Sequence, residues 1–345
     1  MHGMAWLSLL IPISYMKDEE ERPERVDWLQ PMRRAMLAEN GVGTVDQAMM
    51  AALQIRYGSL RMLGLLGKVL LIDEVHAYDA YMYSILEKLL EWCLVLHIPV
   101  VMLSATLTEE KRIALMKSAG AKACEAEEAY PLITQVRNGE VRQVAVSGTA
   151  QCGSYLFQPV FIWDDSQRLA ERALSKVDAG GCLCVMMNTV DDAQRVFKAI
   201  VERQSDTQVL LFHARMMAMH RNAVEKQCVD WFGKGALERP SKAILVCTQV
   251  VEQSMDLDFD GMITCIAPMD LLLQRAGRIH RHARAERPQK MAQPLIEVLV
   301  PDAAHEDAYG ASGAVYPPWL LMQTQQQLPC RVSVPDGIRP CIERV

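Results

Sequence analysis

Lys68-Val-Leu-Leu-Ile-Asp73-Glu74-Val75-His76 is the stretch that decides the fold. A short apolar run enters two adjacent carboxylates, the pattern of a buried strand that delivers acids to its carboxyl end, where open α/β sheets bind ligands. Asp73 there can hold Mg²⁺ through water against nucleotide phosphates. Glu74 can orient and deprotonate an attacking water. Working outward, apolar positions at Tyr81, Ile85, Leu89, Leu90 and Leu94 predict one face of a helix over Ala80 to Leu96. A second apolar run, Val100 to Leu103, follows Pro99. Thr108-Glu109-Glu110 then reads as a cap and first turn, and Gly120 as a stop. Apolar strands alternating with helices predict a parallel α/β sheet covered on both faces.

Glycines and polar residues over 131–157 predict a linker or small hairpin, after which the alternation restarts. Helices are expected over Ser166 to Val177, Val190 to Val201, Met216 to Phe232 and Leu271 to Gly277. Strands are expected over Leu183 to Met187, Val209 to Phe212, Ala243 to Cys247 and Met262 to Ala267. Two α/β units split near 150 result, and 345 residues at roughly 150 per domain agree. The tail beyond about 301, rich in Pro, Gly and Gln, reads as irregular.

Composition narrows the class. With 50% hydrophobic and 23% charged residues the chain is globular, and its net charge of -6 excludes blanket polycation binding to nucleic acid. No apolar run approaches the roughly 18–20 residues that span a bilayer. The nearest, Ala5 to Ser14, holds Pro12, precedes an acidic run and lacks a basic front, so a cytoplasmic protein is expected. The ten cysteines include no C-x-x-C pair and read as buried reduced thiols; the 21 methionines read as core filler.

Further segments carry chemistry. Ser104-Ala105-Thr106 follows the second apolar run and can link a nucleotide site to the other unit by hydrogen bonds. Gln274-Arg275-Ala276-Gly277-Arg278-Ile279-His280-Arg281 spaces guanidiniums three residues apart, suited to one phosphate cluster. Arg284, Arg287 and Lys290 extend the basic stretch. Thr248 to Asp256 is a polar loop at a strand end. Thr44 and Gln47 have capping-box spacing, and the helix start there can take a phosphate. Phe212-His213-Ala214-Arg215 reads more simply as a strand end with a satisfied histidine.

In this order the pieces resemble a superfamily 2 helicase motor. Asp73-Glu74-Val75-His76-Ala77-Tyr78-Asp79, a DEVH box, together with Ser104 to Thr106, Leu211 to Arg215 and Gln274 to Arg281, narrows the likeness to the CRISPR-associated helicase–nuclease of type I systems. Gly43 to Gln47 and Thr248 to Asp260 match it too. The resemblance implies an ATP- and Mg²⁺-dependent hydrolase that unwinds DNA 3′ to 5′ in antiviral defence, recruited by the Cascade surveillance complex to an R-loop. It implies two RecA-like parallel-sheet domains, the first (1–135) truncated at its N-terminus. A linker at 136–160, the second domain at 161–300 and the start of a C-terminal linker region at 301–345 would follow. Asp73, Glu74, Arg278 and Arg281 would be catalytic, and His76, Asp256 and Gln274 would bind ATP. Thr44, Ser104, Thr106, Thr248 and Gln249 would meet DNA or couple the two sites.

The sequence contains no Gly-Lys-Ser or Gly-Lys-Thr for a phosphate-cradling loop, and no His-Asp pair for the family's nuclease. In the family that loop lies upstream of the segment that His2 begins to match, so the chain is expected to start inside the first motor domain and to be inactive alone. A missing strand would leave unpaired backbone groups and an uncovered apolar face. The first reading is a helicase subunit whose ATP loop and nuclease sit on a separate chain. The second is a non-catalytic remnant that binds nucleic acid or Cascade. The third, a DEAH-type RNA helicase fragment, is opposed by the Asp73 to Asp79 run.

Overall fold

The computed structural model describes residues 35–125, 127–146, 153–203, 205–252, 255–284 and 286–345. His2, the Ala5 to Ser14 run and Gln253-Ser254 lie outside these. The chain divides into two compact units, Met1–Ser147 and Gly148–Val345.

In the first unit, helices α1 (Val45–Ala52) and α2 (Gly58–Leu65) precede strand β1 (Leu70–Ile72), helix α3 (Ala80–Val95), strand β2 (Val100–Met102) and helix α4 (Glu109–Ser118). β1 and β2 pair in parallel, Leu70 opposite Val100 and Ile72 opposite Met102. Alternation sends Ile72 into a core with Leu86, Leu89, Leu90 and Met49, while Val69, Leu71, Val101 and Leu103 are exposed on the other face.

α3 buries Leu89 and Leu90 as predicted, with Ile85 half-buried against the same core; Tyr83, Leu86 and Cys93 join them inside, whereas Tyr81 and Leu94 are exposed. The inward face lies opposite the exposed polar face of Ser84, Lys88 and Glu91, and on it the Tyr83 hydroxyl donates to the Val75 carbonyl at 3.0 Å. β3 (Leu132–Arg137) and β4 (Glu140–Ala145) form an antiparallel hairpin. Asn138 and Gly139 turn it with φ of 54° and 83°, the left-handed pair that a two-residue hairpin turn requires.

The second unit holds a seven-stranded sheet. Its strands are β5 (Gly153–Val160), β6 (Gly181–Met186), β7 (Gln208–Phe212), β8 (Lys242–Cys247), β9 (Gly261–Cys265), β10 (Leu295–Leu299) and β11 (Arg331–Val334). The order is β11-β5-β10-β9-β6-β8-β7, with all pairings parallel except that of β11 with β5. β6, β8 and β9 are almost wholly buried, as continuous apolar strands in a parallel sheet should be. On one face Leu183, Val185 and Ile244 meet α5 (Ser166–Val177) and α6 (Val190–Val201). On the other, Cys182, Cys184 and Leu245 meet α7 (Ala218–Phe232) and α8 (Met269–Ala276). Asp165 and Thr189 cap α5 and α6 with their side chains.

The stretch 136–160 contains β4 and β5. The segment after 301, expected to be irregular, is ordered. A 3-10 segment over Glu306–Ala314, α9 (Pro318–Gln326), β11 and α10 (Ile338–Glu343) pack through buried Tyr309, Leu321 and Val332. Their shortness hides them from periodicity. Among the described residues no helix is long and apolar enough to cross a membrane. Cys93, Cys182, Cys184, Cys228, Cys247, Cys265 and Cys341 are buried free thiols as expected, Cys124 is half-buried, and Cys330 is exposed.

Candidate functional site

In the first unit, parallel pairing brings the segments after β1 and β2 to one edge. The Leu103 amide donates to the Ile72 carbonyl at 2.9 Å, and the Val75 amide to the Leu103 carbonyl at 3.1 Å. Asp73 and Glu74 are exposed there, and Val75 and His76 are buried. Glu74 takes φ of 55°, a left-handed backbone that costs a non-glycine residue about 1 kcal/mol or more and is found where a side chain must be aimed. Its amide donates to Asp73 Oδ1 at 2.9 Å, and the Tyr78 hydroxyl to the Asp73 carbonyl at 3.3 Å.

His76 Nδ1 lies 3.1 Å from Ser104 Oγ and 3.4 Å from Glu74 Oε2. One buried imidazole thus touches both predicted segments. Thr106 is 7% exposed and its Oγ1 has no partner among the described residues. Tyr130 donates to the Ala105 carbonyl at 2.8 Å. Thr44 begins α1 and is exposed, but its side chain makes no cap; the Gln47 amide bonds the Thr44 carbonyl instead, so the expected capping box is not formed.

The carboxylate of Asp73 is open to solvent and already orders one N–H, and no group of three or more metal-ligating side chains exists among the described residues. That donor set suits Mg²⁺, which is commonly held by one or two carboxylates plus water and substrate phosphates.

In the second unit the parallel strands place Asn188, His213 and Thr248 just beyond the carboxyl ends of β6, β7 and β8. Thr248 is 3% exposed. Gln249 Nε2 donates to the Asn188 carbonyl at 2.9 Å and reaches the Tyr316 hydroxyl at 3.3 Å. His213 is buried beside Gln194, with Nδ1 unpartnered among the described residues, so it is not the satisfied strand-end histidine expected. Burial, with Arg215 adding to it, holds its pKa below the ordinary 6.5.

The arginines of 275–290 divide sharply. Arg275 is fully buried; its Nε donates to Glu252 at 2.7 Å, and its other nitrogens reach Thr264, the Cys265 carbonyl and Tyr316. Arg278 donates to the carbonyls of Glu252 and Met255. Arg281 pairs with Asp256 at 2.6 Å, and His282 approaches the same carboxylate. Gln274 lies half-buried on α8.

Arg284 and Arg287, read from sequence as an extended basic stretch, are turned inward onto fully buried Asp258. Arg287 also reaches Asp260 at 2.6 Å, and Arg239 joins Asp260 at 2.9 Å. Lys290 pairs with Asp178 at the surface. The Arg281 amide donates to Asp258 Oδ1 at 2.9 Å, so buried acids fix the backbone that carries Arg281. Asp258 and Asp260 were not singled out from sequence, although acids alternating with apolar residues before a strand, followed by four arginines over 278–287, carried the signal.

A family model described as CRISPR-associated nuclease/helicase Cas3, C-terminal, matches residues 179–284, the span from β6 to Arg284. The CRISPR-associated nuclease/helicase Cas3 of Streptococcus thermophilus is 36% identical over 92% of this chain and 35% of its own length. The chain belongs to the Cas3 family. The crystal structure of T. fusca Cas3-AMPPNP superimposes with a TM-score of 0.87 at 33% identity, over 99% of this chain and 42% of that one. A chain in a structure described as a CRISPR RNA-guided surveillance complex, pre-nicking, gives a TM-score of 0.81 at 32% identity, over 92% of this chain and 43% of that one. The chain therefore spans well under half the length of these relatives.

Proposed function

We propose that this chain is the motor segment of an ATP-dependent DNA helicase of CRISPR interference, acting on target DNA held by a Cascade-type surveillance complex. The observation that supports it best is His76, which ties the acidic turn at Asp73-Glu74 to Ser104, just beyond the neighbouring parallel strand. Asp73 would hold Mg²⁺, which when bound neutralises phosphate charge. Glu74, half exposed and aimed by its backbone, would take the proton of the attacking water. Arg278 and Arg281 would serve the γ-phosphate of ATP, leaving their present partners at 252–256 to do so. Asp256 and Gln274 would border the nucleotide. Thr44, Thr106, Thr248 and Gln249 would contact DNA or carry coupling; Thr248 and Thr106 are buried, which favours coupling for those two. The names of the similar structures, one holding AMPPNP and one a surveillance complex, support the ATP and partner assignments.

Because the sequence has no Gly-Lys-Ser or Gly-Lys-Thr, the phosphate loop is proposed to come from additional polypeptide, as is the nuclease. The test is ATP hydrolysis with single-stranded DNA. The chain alone is expected to show none. Supplemented with a polypeptide carrying the loop it turns over, and Glu74→Gln abolishes that. Turnover unaffected by Glu74→Gln would overturn the assignment.

A further inference from the structure

Tyr316 lies outside every motif singled out from sequence and outside the residues matched by the family model. It follows the 3-10 segment at Glu306–Ala314, and its ring packs against the core that holds α7 and α8. Its hydroxyl lies 3.3 Å from Gln249 Nε2 and 3.3 Å from the Arg275 guanidinium. These two donors belong to different segments. Gln249 opens the loop after β8 and also holds the Asn188 carbonyl. Arg275 sits on α8 and holds Glu252, whose own carbonyl accepts from Arg278. Asn188 closes the other side: its amide donates to the Ile266 carbonyl at 2.8 Å and to Ser312 Oγ at 3.1 Å, and the Ser312 carbonyl accepts the Tyr316 amide at 3.0 Å. A continuous polar chain thus runs Asn188–Gln249–Tyr316–Arg275–Glu252–Arg278 through the second unit. Asn188 Oδ1, on a side chain 3% exposed, has no partner among the described residues, so one end of the chain keeps an open acceptor.

We infer that Tyr316 is a positioning residue that couples the nucleic-acid side of this unit to its arginine segment. The inference rests on the function proposed above. Two donors sharing one hydroxyl cannot move independently: a ligand that pulls Gln249 away alters the hold on Arg275 and, through Glu252, the carbonyls that hold Arg278. Such a chain has two discrete arrangements, bonded and broken, which is what coupling between sites requires. Burial raises the Tyr316 phenol above its ordinary value, so it stays a neutral hydroxyl and accepts from both.

The test compares the full chain with Tyr316→Phe, which keeps the ring in the core and removes one oxygen. A single-stranded DNA oligonucleotide is the probe. Affinity is read by fluorescence anisotropy, and the segment at 274–284 by hydrogen exchange with mass spectrometry. In the wild type, DNA is expected to change exchange there about fivefold or more, the lower end of ordinary coupling. Tyr316→Phe should bind DNA with little change in affinity and lose that response. Arg275→Lys, which keeps charge beside Glu252 but loses the fork, should uncouple by a second route should the first variant fold poorly. A full response in both variants overturns the inference. DNA binding by the wild type with no response at 274–284 overturns the relay alone, whereas no DNA binding by the wild type overturns the proposed function and the relay with it.

Discussion

Replacing Arg275 by methionine removes the cation that pairs with Glu252 inside the second unit. The guanidinium is fully buried and its partner's side chain is 6% exposed, so no solvent takes its place. Breaking a buried ion pair from one side costs about 3–5 kcal/mol, because the remaining charge stays desolvated. The Cys265 carbonyl and Thr264 hydroxyl also lose a donor, and each such loss is worth about 1–3 kcal/mol when uncompensated. These terms overlap, and the expected total is about 3–5 kcal/mol, a large share of a typical net stability of about 5–15 kcal/mol. Converting both Glu252 and Arg275 to methionine removes both charges and should cost clearly less than the single change. Native-state hydrogen exchange in urea, read at amides of β8 and β9, reports the second unit by itself. A loss under about 1 kcal/mol in Arg275→Met, or a double variant as unstable as the single one, would refute the buried clamp.

Acid should weaken the Asp258 cluster. Burial pushes that carboxyl up, but Arg284 and Arg287 outweigh it and hold the folded pKa below 3.8. A lowered folded pKa gives stability that is full above the unfolded value, about 4, and is lost as pH falls through the folded value. Asp258→Asn should therefore lower Tm at neutral pH, with the gap to wild type closing on acidification; a gap constant down to pH ~3 would contradict this. Maleimide at neutral pH should modify Cys330 while Cys182, Cys228 and Cys265, buried and pushed up to about 12, stay unlabelled in the native chain; peptide mass spectrometry reads the order.

Strand and helix positions in the second unit were legible because β6, β8 and β9 are continuous apolar runs, a pattern with few alternatives. The inward face of α3 was legible in part: Leu89 and Leu90 are inside as expected, while Tyr81 and Leu94 lie exposed at its margins. The Asp73 to His76 and Ser104 segments were legible as motifs, and parallel register explains why they meet. The partition of the arginines was hidden. Arg275, Arg278 and Arg281 have the same spacing, yet one is fully buried, one is bound to carbonyls and one is paired at the surface. Their partners lie more than 20 residues away in sequence, at Glu252, Met255 and Asp256, and no local pattern encodes such distances.

The central proposal is that Arg278 serves the γ-phosphate of ATP. The direct measurement is DNA-stimulated ATP turnover of Arg278→Ala, in the presence of the polypeptide that supplies the phosphate loop, alongside its affinity for single-stranded DNA. A finger role predicts a fall of about 10³-fold or more in turnover with DNA affinity nearly unchanged. Turnover equal to wild type, or parallel loss of both properties, would contradict it.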